Sequence, residues 1–271
     1  MKKTLTILLS VISFAACADI NLYGPGGPHT ALQEAASLYT KNTGIPVTVH
    51  FGPQAKWNNE ARKNADIIFG ASEQSALAII RDHQDRFNEK DIEPLYLRKS
   101  ILLVKPGNPK NIQGIEDLTR PGIGIIVNDG AGTSNTSGTG LWEDIAGRKG
   151  SIETVAGIRK NIILYAPNSG TARKALETQA GADVWITWAD WAASNPGIGE
   201  VVEIAPDYVI WRDMNIAIRQ GADAETRKFA AWLRSGEAAP ATGSLIPPTS
   251  TSYLQTSLNL LNLLLLHLSV T

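Results

Sequence analysis

Apolar positions along this chain fall into two alternating rhythms. Short β-branched or apolar runs, at Ile20 to Tyr23, Val47 to Phe51, Asp66 to Phe69, Tyr96 to Val104, Gly124 to Val127, Ile162 to Tyr165, Val184 to Thr187 and Val201 to Ile204, read as strands. Between them lie helical patterns. Leu32, Ala35, Ala36 and Tyr39 share one helical face and Gly44 stops that helix, while Ala224 to Leu233 forms a helix near the end. The first helix has two possible starts: Gly27 as cap with Pro28 in the first turn, or a capping box of Thr30 and Gln33. Such alternation predicts an α/β fold with mixed, mostly parallel sheets flanked by helices, and ligands at the carboxyl ends of the strands.

Small residues collect at those carboxyl ends. INLYG runs into GPGGPHT, ADIIFG into ASEQSA, the strand ending near Val127 into NDGAGTSNTSGTG, and Asn168-Ser169-Gly170-Thr171 precedes RKALE. A strand-to-helix corner of this kind aims free backbone N–H groups at the space before the helix, where the helix dipole favours negative charge. Gly26 and Gly27 let backbone approach an oxyanion, or simply make a tight turn. His29 is a ligand donor or a local hydrogen-bond partner, and Thr30 a donor or a cap. Ser72 can cap its helix and donate its hydroxyl. Glu73 either faces solvent in a first turn or receives an ammonium group. Ser137, Gly138 and Thr139, like Ser169, Gly170 and Thr171, supply N–H and hydroxyl donors or belong to a surface loop. None of these is a P-loop, since no Lys follows the glycines in the required pattern.

The order of elements predicts two lobes, residues 19–95 plus 209–240 and residues 96–208, joined by two hinge crossings around a cleft. Arg98 and Arg212 fall at those crossings. Either could clamp an anion through parallel N–H bonds, or brace the hinge, Arg212 with Asp213 or Glu93. In VWITWADW the tryptophans read as core, with Thr187 and Trp188 placed after a strand end where they can line the cleft; Tyr208 is a further candidate from the return segment.

Composition narrows the function classes. The 271 residues are 43% hydrophobic with a formal net charge of −1, so no polybasic field exists for nucleic acid or an anionic membrane. Lys2 and Lys3, the apolar run Thr4 to Phe14 and Ala16-Cys17-Ala18 predict an export signal over residues 1–18, with lipidation at Cys17 as the rival reading. Cleavage after Ala18 would leave no cysteine, hence no disulfide, thiolate metal site or cysteine nucleophile. His29, His50 and His83 form no metal-type pair, no G-x-S-x-G elbow is present, and Glu116-Asp117 and Glu143-Asp144 are adjacent in sequence rather than set across a substrate. No cofactor, no metal and no enzymatic activity are expected.

The export signal, INLYGPGGPHTAL, ADIIFGASE, LLVKPGNPKNIQGIEDL with the GIGIIV strand after it, and ADVWITWADW together resemble the type II extracytoplasmic solute-binding proteins. The likeness spans about Asp19 to Pro240 and is nearest to the accessory colonization factor AcfC-like group, more distantly to molybdate- and sulfate-binding proteins. It implies a periplasmic, monomeric, two-lobed receptor that closes on a small anionic solute without chemistry and serves an ABC permease or a chemoreceptor. Sulfate, molybdate, a dicarboxylate and an acidic amino acid held through Glu73 stay open as solutes. After Glu237 no Lys, Arg, Asp or Glu occurs, and residues 241–271 are rich in Leu, Ser and Thr. That shift points to an altered reading frame or a cloning scar rather than a membrane anchor, which needs roughly 20 apolar residues.

Overall fold

The structure is a computed structural model that describes residues 19–130, 136–235 and Ala238. The expected export signal (1–18), the Leu-rich tail (241–271) and residues 131–135 of the Gly- and Ser-rich stretch lie outside the described residues.

The first half opens with strand β1 (Ile20–Gly24), helix α1 (His29–Thr43) and strand β2 (Val47–Phe51). It continues with α2 (Asn58–Asn64), β3 (Ile67–Gly70) and α3 (Glu73–Arg81). Leu32, Ala35, Ala36 and Tyr39 are the buried face of α1, and Gly44 ends it in a left-handed conformation (φ 76°) with its N–H donated to the Thr40 carbonyl. A residue with a Cβ pays to adopt that angle, which is why the helix stops there. Strand β4 (Ile92–Val104) starts earlier than the sequence predicts, and its register slips between Pro94 and Tyr96, where proline has no N–H to give the ladder.

The second half holds β5 (Ile125–Asn128), α4 (Leu141–Ala146), α5 (Ile152–Asn161), β6 (Ile162–Ala166) and α6 (Ser169–Thr178). It is completed by β7 (Val184–Trp188), α7 (Ala189–Ser194) and β8 (Glu200–Glu203). The chain then returns through β9 (Trp211–Ile218) and ends its described helices with α8 (Ala224–Arg234).

The strands run in the order β2-β1-β3-β9-β4-β7-β5-β6, with β8 also on β4. β1 pairs parallel with β2 and β3, and β5 with β6 and β7. Among the described residues, the pairings of β4 and β9 are all antiparallel. Up to Lys99, β4 pairs with β9; from Ser100 it pairs with β7, and from Ile101 with β8 as well. At that change of partner Ser100 is fully buried and exchanges two 2.9 Å hydrogen bonds with Ile210, its N–H to the carbonyl and its hydroxyl from the N–H. The outgoing and returning strands are thus clasped side by side.

Each half buries both faces of its strands. Leu22, Ile67, Phe69, Met214 and Phe229 pack on one face of the first, Tyr23, Ile68, Ile80 and Phe87 on the other. In the second half Leu102, Ile125, Val184 and Trp188 oppose Ile101, Leu103, Ile126 and Trp185. Strands covered on both faces read as continuous apolar runs, and IIFG, IIVN and VWITW are buried throughout.

The corner after β3 is set by Gly70. A Cβ there would lie 2.4 Å from Asn215 Oδ1 and 2.7 Å from the Ala76 Cβ. Gly70→Ala should therefore lower unfolding free energy by about 1–3 kcal/mol, read by urea denaturation. An unchanged midpoint would show that β9 and α3 yield without cost.

Candidate functional site

Three corners that the sequence marked as separate stretches converge on two arginines. Arg98 on β4 and Arg212 on β9 are directly opposed cross-strand partners. Like charges in that position repel, and the fold holds them there by surrounding them with acceptors.

Arg98 is 2% exposed and reaches into both halves. Its Nη2 donates to the Ala71 carbonyl after β3 and, at 3.2 Å, to Ser137 Oγ before α4. Its Nη1 donates to Asp190 at 3.2 and 3.4 Å. Arg212 donates from Nη1 to the Ser137 carbonyl at 2.7 Å and from Nη2 to Asp144 at 2.6 Å. The indole of Trp188, itself buried, lies 5.0 Å from the Arg98 guanidinium carbon and 5.4 Å from that of Arg212, within cation–π range of both.

The first corner closes on this cluster from the other side. A Cβ on Gly27 would come within 3.0 Å of Asp190 Oδ2 and 3.6 Å of both Arg98 Nη1 and Trp191 Nε1. A side chain at Gly27 would crowd the ion pair, and glycine lets the β1–α1 corner lie close against it. The helix start itself follows neither expected cap. Pro28 is the N-cap, in right-handed conformation, without a side-chain bond. Instead, Thr30 is tied to His29: His29 Nδ1 donates to the Gly26 carbonyl, its Nε2 accepts from the Thr30 hydroxyl at 3.3 Å, and its ring stacks on Phe51 at 3.9 Å. These contacts fix the tautomer and employ both residues locally.

Ser72 caps α3 by accepting from the Ser75 N–H at 3.2 Å and is buried, while Glu73 in the first turn is exposed. In the second half Asn128, 2% exposed, accepts from Trp185 Nε1 at 2.9 Å and donates to Ser169 Oγ at 3.4 Å. Gly138 lies on it so closely that a Cβ would be 2.7 Å from the Asn128 Cβ. The Thr139 N–H closes a turn to the Thr136 carbonyl. Gly170 and Thr171 are exposed, and Thr171 is bound to Asn168, the cap of α6.

Gly27, Ser137, Trp188, Asp190 and Arg212 thus gather around Arg98, with Gly26 and Ser72 in the adjoining corners. Tyr208 is 4% exposed in the core of the second half, in the same cluster as Trp188, with Lys149 Nζ 4.1 Å from its ring centroid. One expectation is corrected. Arg212 pairs with neither Asp213 nor Glu93: Asp213, the next residue along β9, faces the other way and accepts from Asn215, while Glu93 stands in register with Ile216, four residues along β9, and binds Arg234.

Asp190 and Tyr96 were not singled out by sequence reasoning, which read Trp191 as core and set Asp144 aside with Glu143 as an adjacent carboxylate pair. Asp190 stands two places after Trp188 in VWITWADW, and a carboxylate in the first turn behind a fully buried strand was the available signal. Burial, then the charge of Asp190, pushes the Tyr96 hydroxyl well above its usual range despite the opposing pull of Arg98, so it stays a neutral donor. Among the described residues, Tyr96 Oη, Arg98 Nε, Thr187 Oγ1 and Trp188 Nε1 are buried polar atoms without a hydrogen-bond partner. The cluster is built to hold charge and has donating capacity left over.

The profile of a family described as bacterial extracellular solute-binding protein matches residues 20–243. No curated protein matches the chain. Among solved structures, PEB3 bound to L-phospholactate is 52% identical, with a TM-score of 0.79 over 82% of this chain and 96% of that one. Peb3 from Campylobacter jejuni is 51% identical, with a TM-score of 0.78 over the same shares. The sulfate-binding protein SubI from Mycobacterium tuberculosis H37Rv shares 18% identity and a TM-score of 0.65 over 85% of this chain and 88% of that one, a likeness of fold.

The Arg98–Asp190 pair has side chains only 1% and 9% exposed. Arg98→Ala should cost about 3–5 kcal/mol, because it leaves a buried carboxylate unpaired. The Arg98→Ala, Asp190→Ala double variant should recover much of that loss in urea denaturation; strictly additive losses would show that the two do not act as a pair.

Proposed function

The chain belongs to the bacterial extracellular solute-binding protein family, and we propose that it captures a small acidic solute between halves formed by residues 19–95 plus 209–240 and by residues 96–208. The observation that carries this reading is the apposition of Arg98 and Arg212 over one indole, with corners from both halves drawn in around them. Two fixed guanidinium groups match the paired oxygens of a carboxylate or phosphate, and their forked geometry rewards a planar or tetrahedral oxyanion over a point charge. Backbone N–H groups at the corners near Gly26, Gly27, Ser72 and Ser137 would complete the cradle.

A phosphorylated organic acid fits this reading better than a bare inorganic oxyanion. Support comes from PEB3, half of whose aligned residues are identical to this chain and whose structure holds L-phospholactate, whereas the sulfate binder shares the fold at low identity. An amino-acid solute anchored by Glu73 has less to favour it, since that carboxylate is exposed on α3. The role is capture rather than turnover. Work outside the cytoplasm, an N-terminal export signal and delivery to an ABC permease or chemoreceptor follow from the same family membership as parts of this proposal.

Thermal unfolding with added L-phospholactate, sulfate, molybdate and aspartate tests it. L-phospholactate should raise the melting temperature, with stabilisation of about 2.7 kcal/mol at 100 times its dissociation constant, and Arg212→Ala should abolish the response. Indifference to every acid offered would overturn the reading.

A further inference from the structure

The cluster that holds the two arginines also holds a carboxylate where a negative solute has to arrive. Asp190 Oδ2 lies beside both the Gly27 corner and Arg98 Nη1, and the side chain is 9% exposed. Its two contacts with Arg98, at 3.2 and 3.4 Å, are long for a charge-assisted pair and come from a single nitrogen, Nη1. A carboxylate offers about four acceptor positions, so Asp190 has acceptor capacity that Arg98 does not use. It cannot be swung aside freely, because Trp188 precedes α7 as a fully buried strand end and the Gly27 backbone closes the other side.

A solute oxygen drawn to Arg98 therefore also meets the oxygens of Asp190. Where that solute oxygen bears a hydrogen, it donates to the carboxylate and gains a charge-assisted bond; where it bears none, two negative oxygens face each other in a place screened from water. We infer that Asp190 is a specificity-determining residue that admits anions carrying their own hydrogen-bond donor, such as hydroxy acids and protonated phosphate groups, and turns away sulfate, molybdate and unsubstituted dicarboxylates. The inference rests on the anion-capture reading above and deepens it. The chemistry is that of an acceptor placed beside a pair of cations: the cations supply attraction for any oxyanion, and the acceptor sorts among them.

Matched pairs of probes test it on the intact protein by calorimetry: L-malate against succinate, and inorganic phosphate against sulfate. Each pair differs in whether a donor hydrogen is present on the acid. The wild type should prefer L-malate and phosphate by at least tenfold, and Asp190→Asn, whose amide donates as well as accepts, should bring each pair to within about threefold. Equal affinity within both pairs in the wild type would overturn the inference while leaving anion capture standing. A folded Asp190→Asn variant that keeps the tenfold preference would also overturn it. So would one, shown folded by its melting curve, that binds none of the four, since Asp190 would then serve only to position Arg98. Silence of the wild type toward all four would remove the capture reading and this inference together.

Discussion

One buried guanidinium joins the two halves of this molecule. Arg98 is removed from water almost entirely, and a cation so placed is tolerable only when acceptors surround it. No single element supplies enough of them. The Ala71 carbonyl comes from the corner after β3, Ser137 from the approach to α4, and Asp190 from α7. Satisfying one side chain thus requires that three corners, on both sides of the strand crossings, sit where they do.

That requirement explains the local chemistry of the corners. A Cβ at Gly70 would strike β9 and α3, and one at Gly27 would crowd the ion pair. Ser72 is spent on capping α3, which holds the segment carrying the Ala71 carbonyl in place. Asn128 ties the second half together by receiving the Trp185 indole and reaching Ser169. The opposed Arg98 and Arg212 store repulsion that nearby Asp190 and Asp144 offset, and Trp188 beneath them gives both guanidinium groups a flat, electron-rich face. The result is an arrangement of balanced opposite charges with buried donors to spare.

The strands β4 and β9 provide the frame for this cluster. Each belongs to the first half along part of its length, and β4 changes partners at Ser100, where Ile210 clasps it. The two arginines lie on these shared strands, two residue pairs from the clasp with Lys99 and Trp211 between, so short and stiff connections link them to the place where β4 changes partners.

Much of this was legible in the sequence. The apolar runs, their alternation with helical patterns and the stop at Gly44 follow from local periodicity and backbone freedom, which a neighbour in space does not alter. Arg98 and Arg212 could be marked as crossing residues from element order alone. Pairing direction along β4, the tautomer-fixing contacts of His29, the burial of Tyr208 and above all the seat of Asp190 could not, since each depends on which surfaces the fold brings face to face across long stretches of chain. The sequence by itself determined where charge and small-residue corners occur; the tertiary structure decided which carboxylate would sit beside which guanidinium, because burial makes that choice and burial is a property of the whole assembly of strands.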